Sequence, residues 1–104
     1  HDCICNHNNL CNIKNIVYLI TCNICCYKYV GESHRTFRKM VTEHTNDYRS
    51  SVHYHFIFHH STPPTLNTIE YKILKSGFRN TLERKESQAL YISLINPEMN
   101  IQRS

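Results

Sequence analysis

The chain has 104 residues, with 12 Lys and Arg against 8 Asp and Glu, so its formal net charge is +4 with the 8 His neutral. A length of this order holds one domain with a small core, and 40% hydrophobic residues with 11% aromatic and only 2 Gly suit a folded globular chain better than a disordered one. The surplus of positive charge is compatible with a phosphate-bearing partner.

The longest apolar run falls short of the roughly 18 residues that a membrane span needs, and the start "HDCICNHNNLCN" is polar, so neither a transmembrane helix nor a secretory signal is read. Because it begins with His1, the chain is expected to be a piece of a longer protein. Residues 1–14 form a Cys/His-rich segment ahead of a domain at 15–104. Cys3, Cys5, Cys11, Cys22, Cys25 and Cys26 all lie in the first quarter. Disulfides there would leave most of the core unstapled, and no signal supports the oxidising compartment they need. C-x-C and C-x-x-C spacing with nearby His suits tetrahedral zinc better, and a secreted disulfide-rich module has the least support.

"NIVYLIT", residues 15–21, is a β-branched and aromatic run of strand length, and "YKYVG", residues 27–31, is a second. "CNICC" between them fits an antiparallel hairpin with Cys22 and Cys25 at its tip, where both thiolates can face one ion. Gly31 and Ser33 are expected to end the second strand. From Arg35 to about Asn46, Phe37, Val41 and His44 recur at helical spacing and continue to Tyr48. "HFIFHHSTPPT" is an aromatic and His-rich passage, read as a loop or a core strand, which Pro63 and Pro64 close. "LNTIEYKILK" alternates Ile69, Tyr71 and Ile73 as a half-covered strand would. Asn80 and Glu83 make a capping box for "LERKESQALYISLI", whose apolar positions wrap most of the way round and predict a buried helix. Pro97 ends it. The plan is α+β: a small three-stranded sheet, antiparallel or mixed, flanked by helices.

Val17-Tyr18 on the first strand, Tyr29-Val30-Gly31 on the second, "RTFRKMVTEH" on the first helix and "NPEMN" after the last helix follow in order. In that order and spacing, from about residue 15 to the end, the chain resembles the GIY-YIG nuclease domain. "VYLITC" and "YVGES" stand for its two name motifs. Cysteines between them are similar to the endonuclease domains of Penelope-like retroelements, which carry a Cys-Cys-His-His metal motif with a downstream His-Phe and a further His.

That resemblance implies structural zinc on Cys22, Cys25, His55 and His60, with His59 the alternative last ligand. It also implies DNA as partner, a parent reverse-transcriptase polyprotein, an intracellular, nuclear setting, and catalytic Mg²⁺ or Mn²⁺. Tyr18 is implied as base toward water, with Tyr29 its partner, Gly31 beside them, His44 the helix His and Asn100 the tail group that ties the site together. A second zinc on Cys3, Cys5, Cys11 and either His7 or Cys26 is left open, with Cys26 alternatively a buried thiol.

Two positions depart from the pattern. The family's catalytic Arg falls at Met40, and a thioether cannot hold a phosphoryl oxygen; such donors contribute about 10²- to 10³-fold in rate. Arg38 and Lys39 lie about 200° and 100° away round the helix. The family's metal-binding Glu falls at Gln88, a poor ligand for Mg²⁺; Glu86 is the nearby carboxylate, about 200° away. The implied activity is DNA nicking with cleavage weak or absent, and a non-catalytic zinc module for nucleic acid is the alternative. DNA contact is expected from Arg35, Arg38, Lys39 and Arg49, with Lys72, Lys75, Arg79, Arg84 and Lys85 as a second basic set.

Overall fold

The computed structural model describes residues 13–46, 50–65 and 67–100. Cys3, Cys5, His7, Cys11, Tyr48 and Arg49 lie outside them, and so do the readings placed on them. In chain order the elements are β1 (Ile16–Cys22), β2 (Lys28–Ser33), α1 (Phe37–Asn46), α2 (Ser51–His60), β3 (Ile69–Lys75), α3 (Thr81–Ile95) and a 3₁₀ turn, Glu98–Asn100. This is a small α+β domain. No helix among the described residues is long and apolar enough to cross a membrane.

β1 is the central strand, in the order β2-β1-β3, and both pairings are antiparallel. The β-branched run on β1 explains its place, since a strand bonded on both sides must present apolar side chains to two faces. Ile16, Val17, Ile20 and Cys22 are fully buried. Alternation along β1 puts Ile16, Tyr18, Ile20 and Cys22 on one face. They share a buried cluster with Phe37, Met40 and Val41 of α1, Val52 and Phe56 of α2, and Met99.

The β1–β2 hairpin has Tyr18 opposite Gly31 and Ile20 opposite Tyr29. Its tip closes where Cys22 and Tyr27 bond through the backbone, and Cys26 adopts a left-handed φ of 68°. Gly31 lies inside β2 and does not end it, because the strand runs on to Ser33.

Of the passage read from sequence as a loop or strand, residues 55–60 are instead the second half of the helix α2, and Pro63 and Pro64 follow its end. Ser50 caps it, its side chain accepting the Val52 N–H, and Ser61 ends it in the left-handed region. The aromatic residues hide this helix in the sequence because apolar and His positions follow one another with no 3.6-residue stripe.

The capping of α3 follows the sequence: the Asn80 side chain accepts Glu83 N–H, and Glu83 accepts the N–H of Arg79. Burial does not follow it. Leu82, Leu90 and Leu94 are 67%, 57% and 70% exposed, and the helix buries Arg84. α3 lies against β2 and β1, and it engages them through Arg84 and Gln88 and not through an apolar stripe.

Candidate functional site

Strand pairing and α1 bring Tyr18, Tyr29, Gly31 and His44 together. Tyr18 is buried, and its Oη lies 2.7 Å from Nε2 of His44. His44 itself is buried near the end of α1, one turn beyond Met40. The ring of Tyr29 stands 5.2 Å from that of His44 and 6.3 Å from that of Tyr18. Gly31 is required by this contact: a Cβ there would lie 2.3 Å from Cζ and Oη of Tyr18. Burial, then the neighbouring Tyr29 and Glu32, pushes the Tyr18 phenol well above its ordinary range. Burial followed by Glu32 also raises Tyr29. Tyr29 is partly exposed where Tyr18 is closed off.

The other sequence-predicted site residues do not converge there with charge. Met40 is 1% exposed and belongs to the core, which an arginine in the same place would have to leave. Arg38 and Lys39 are exposed on the outer side of α1. Gln88 donates from Nε2 to Val30 O at 3.3 Å. Asn100 accepts Val30 N–H at 2.8 Å and donates to Val30 O at 2.9 Å, while Glu98 accepts Lys28 N–H. These side chains close the outer edge of β2, whose amides face away from β1 at every second residue and would otherwise be open for pairing with another chain. Glu86 is exposed and lines a 450 Å³ depression with Lys75, Phe78 and Leu90.

A second cluster lies at the hairpin tip. Cys22, Cys25, His55 and His60 each offer one ligand atom, all within 4.8 Å of one another, and could hold a metal ion. Cys22 Sγ is 3.4 Å from His60 Nε2, and Cys25 Sγ is 3.3 Å from His55 Nε2. Tetrahedral zinc, with bonds of about 2.3 Å to sulfur and 2.0–2.1 Å to nitrogen, separates such atoms by roughly 3.5 Å. The donor set and the spacing therefore fit zinc.

His55 and His60 are five residues apart, which on a regular helix would diverge by about 140°. The last turn of α2 is widened, with Ser61 N–H bonding Phe56 O, and this brings His60 round toward the hairpin. His59 is exposed and stacks on His55 with ring centroids 4.8 Å apart. Cys26 is exposed, which corrects the reading of it as a buried thiol.

One buried charge group was missed in the sequence. Arg84, 4% exposed, donates to Glu32 at 2.5 Å and to Asn15 at 2.8 Å, and Lys85 reaches the other Glu32 oxygen at 3.0 Å. Burial works against the Glu32 charge, yet the hydrogen bonds from Arg84 and Lys85 hold its carboxyl below the usual range. Arg84 thus leaves the second basic set. Arg35 is paired with Glu43, and Arg79 with Glu83 at 3.2 Å, so of the two basic sets Arg38, Lys39, Lys72 and Lys75 remain as exposed cations without an ion pair among the described residues. Compared with known proteins, the chain matches no family model, no curated protein and no solved structure.

Proposed function

We propose that this chain is a GIY-YIG-type nuclease domain of a mobile element, part of a reverse-transcriptase polyprotein acting in the nucleus, that binds DNA and nicks it weakly or not at all. The observation that carries the reading is the hydrogen bond between Tyr18 and His44 with Gly31 flat against the tyrosine ring and Tyr29 alongside. In that reading Tyr18 reacts as its phenolate, the minor form that a hydrogen bond from His44 favours, and takes the proton of the attacking water to become the phenol, while Tyr29 meets the phosphate at the mouth of the site. Zinc on Cys22, Cys25, His55 and His60 clips the hairpin that carries both tyrosines to α2, supplying folding energy that a small core lacks.

The residues present do not fit a catalytic Mg²⁺ or Mn²⁺. Gln88 stands where a carboxylate would be needed and already donates to Val30, so no step is routed through such an ion. Met40 in the core leaves no guanidinium for the transition state. These two positions favour a second reading, a non-catalytic zinc module that binds nucleic acid through Arg38, Lys39, Lys72 and Lys75.

Two assays test the proposal together. Binding to a DNA duplex is expected to weaken steeply with salt. Supercoiled plasmid with Mg²⁺ or Mn²⁺ is expected to stay almost intact with the natural chain and to be nicked faster by Met40→Arg/Gln88→Glu, provided that variant retains zinc and a cooperative melt. Robust nicking by the natural chain rejects the loss of activity, and salt-insensitive or absent binding rejects the DNA partner.

A further inference from the structure

Ser50 joins the tyrosine site to the start of α2, the helix that farther along carries two residues of the metal cluster. Its Oγ lies 2.5 Å from Nδ1 of His44 and accepts the Val52 N–H at 3.1 Å as the N-cap of α2. The other nitrogen of the same ring faces Tyr18. α2 carries His55 and His60 of the metal cluster, and β1 carries both Tyr18 and Cys22. Two elements therefore each contribute to both sites, and Ser50 is the atom-level joint between them.

A serine hydroxyl has one proton and two lone pairs. The Val52 amide occupies one lone pair. The positive end of α2 favours an oxygen turned toward its amides, and together with burial of the ring it opposes the charge that the last turn of α1 favours on His44. With the hydroxyl proton turned toward Nδ1, which accepts it, the ring proton rests on Nε2. From there it is donated to Tyr18 Oη, where it favours the phenolate and works against the burial that disfavours it. A neutral ring with the opposite tautomer would leave Tyr18 donating its own proton to His44.

We propose that Ser50 is a positioning residue for the Tyr18–His44 pair: as the cap of α2 it fixes His44 as the neutral Nε2–H tautomer, so the helix that bears two metal ligands also sets the hydrogen bond to Tyr18. The proposal deepens the nuclease-type reading and rests on it for its consequence in catalysis, while the tautomer itself is read without any activity.

The test uses the full chain loaded with zinc. Long-range ¹H–¹⁵N NMR of the histidine rings, with His44 assigned through His44→Gln, reports which ring nitrogen carries the proton. The natural chain and Ser50→Thr, which keeps the hydroxyl, are expected to show His44 as a single Nε2–H tautomer. Ser50→Gly removes the hydroxyl yet still caps a helix, and is expected to show averaged tautomers with zinc content unchanged. Where nicking is measurable, Ser50→Gly lowers kcat by about 10- to 100-fold and Ser50→Thr restores it, in line with supporting residues elsewhere.

An Nδ1–H tautomer in the natural chain overturns the proposal, and so does a Ser50→Gly chain that keeps the Nε2–H tautomer. Loss of zinc in step with loss of the tautomer in Ser50→Gly shows a cap of purely structural effect and also overturns it. If Ser50→Gly does not fold, the natural chain and Ser50→Thr decide. Absence of nicking by the restored chain Met40→Arg/Gln88→Glu counts against the nuclease-type reading alone, since the tautomer is read without activity.

Discussion

Tyr18 and His44, 26 residues apart, share a 2.7 Å hydrogen bond over the one position in β2 where a side chain would collide with the tyrosine ring. Gly31→Ala places a methyl group 2.3 Å from Cζ and Oη of Tyr18, and a ring wedged between strand and helix has little room to retreat. The variant is expected to lose about 1–3 kcal/mol of stability and the His44 contact with it. Urea unfolding and the His44 ring signals check both, and an unchanged chain would show that Gly31 is not held by this contact.

Burial raises the phenols of Tyr18, Tyr29 and Tyr71 above their ordinary values. A folded-state value above the unfolded one, about 10 for tyrosine, means that their contribution is intact below that pH and is lost as pH rises through the folded value. The domain is therefore expected to weaken in alkali above about pH 10. Ultraviolet titration should find these phenols ionising late, and Tyr18→Phe should remove one late component. Simple ionisation of all tyrosines near pH 10 in the folded chain would contradict the packing.

Glu32 presents the opposite sign. Its depressed carboxyl contributes stability above the ordinary carboxylate value, about 4.3, and that contribution is lost as pH falls through the folded value. Arg84→Met leaves the 17%-exposed Glu32 without its closest partner and is expected to cost about 3–5 kcal/mol. Lys85 is 59% exposed, so Lys85→Ala is expected to cost less than about 1 kcal/mol. Melts of both variants at neutral and acidic pH test the ranking. Equal losses, or an acid-induced loss that persists in Glu32→Gln, would contradict it.

The edge of β2 gives a fourth test. Asn100→Ala removes the donor and the acceptor that serve Val30 and is expected to destabilise the domain by about 1–3 kcal/mol. Gln88→Glu alone replaces an amide donor with a carboxylate facing the Val30 carbonyl and is expected to cost about 1 kcal/mol. A Gln88→Glu chain more stable than its parent would show that the glutamine contributes nothing at that edge.

The parts of the fold visible in the sequence are those written locally. β1 is a dense β-branched run, the C-x-x-C pair falls at a hairpin tip, and Asn80 with Glu83 marks the start of α3. α2 was not visible, because "SVHYHFIFHH" has no single apolar stripe and its identity as a helix comes from the Ser50 cap and from packing Val52, His55 and Phe56. Arg84 reads as a surface cation in sequence, since its partners Glu32 and Asn15 are 52 and 69 residues away. The same distance hides the roles of Gln88 and Asn100, whose partner is the backbone of Val30. Cys22 and Cys25 are legible from their C-x-x-C spacing at the hairpin tip and His55 and His60 through a resemblance, and what the structure adds is that the four ligand atoms lie close enough to share one ion.

An ion shared there would join the hairpin that carries both tyrosines to α2, and X-ray absorption of the full chain with one equivalent of zinc tests it most directly. The expected first shell is two sulfurs at about 2.3 Å and two nitrogens at about 2.0–2.1 Å, with one nitrogen lost in His60→Ala. A shell dominated by sulfur, drawn from the other cysteines, or a zinc shell unchanged in His60→Ala would contradict the four-ligand clip.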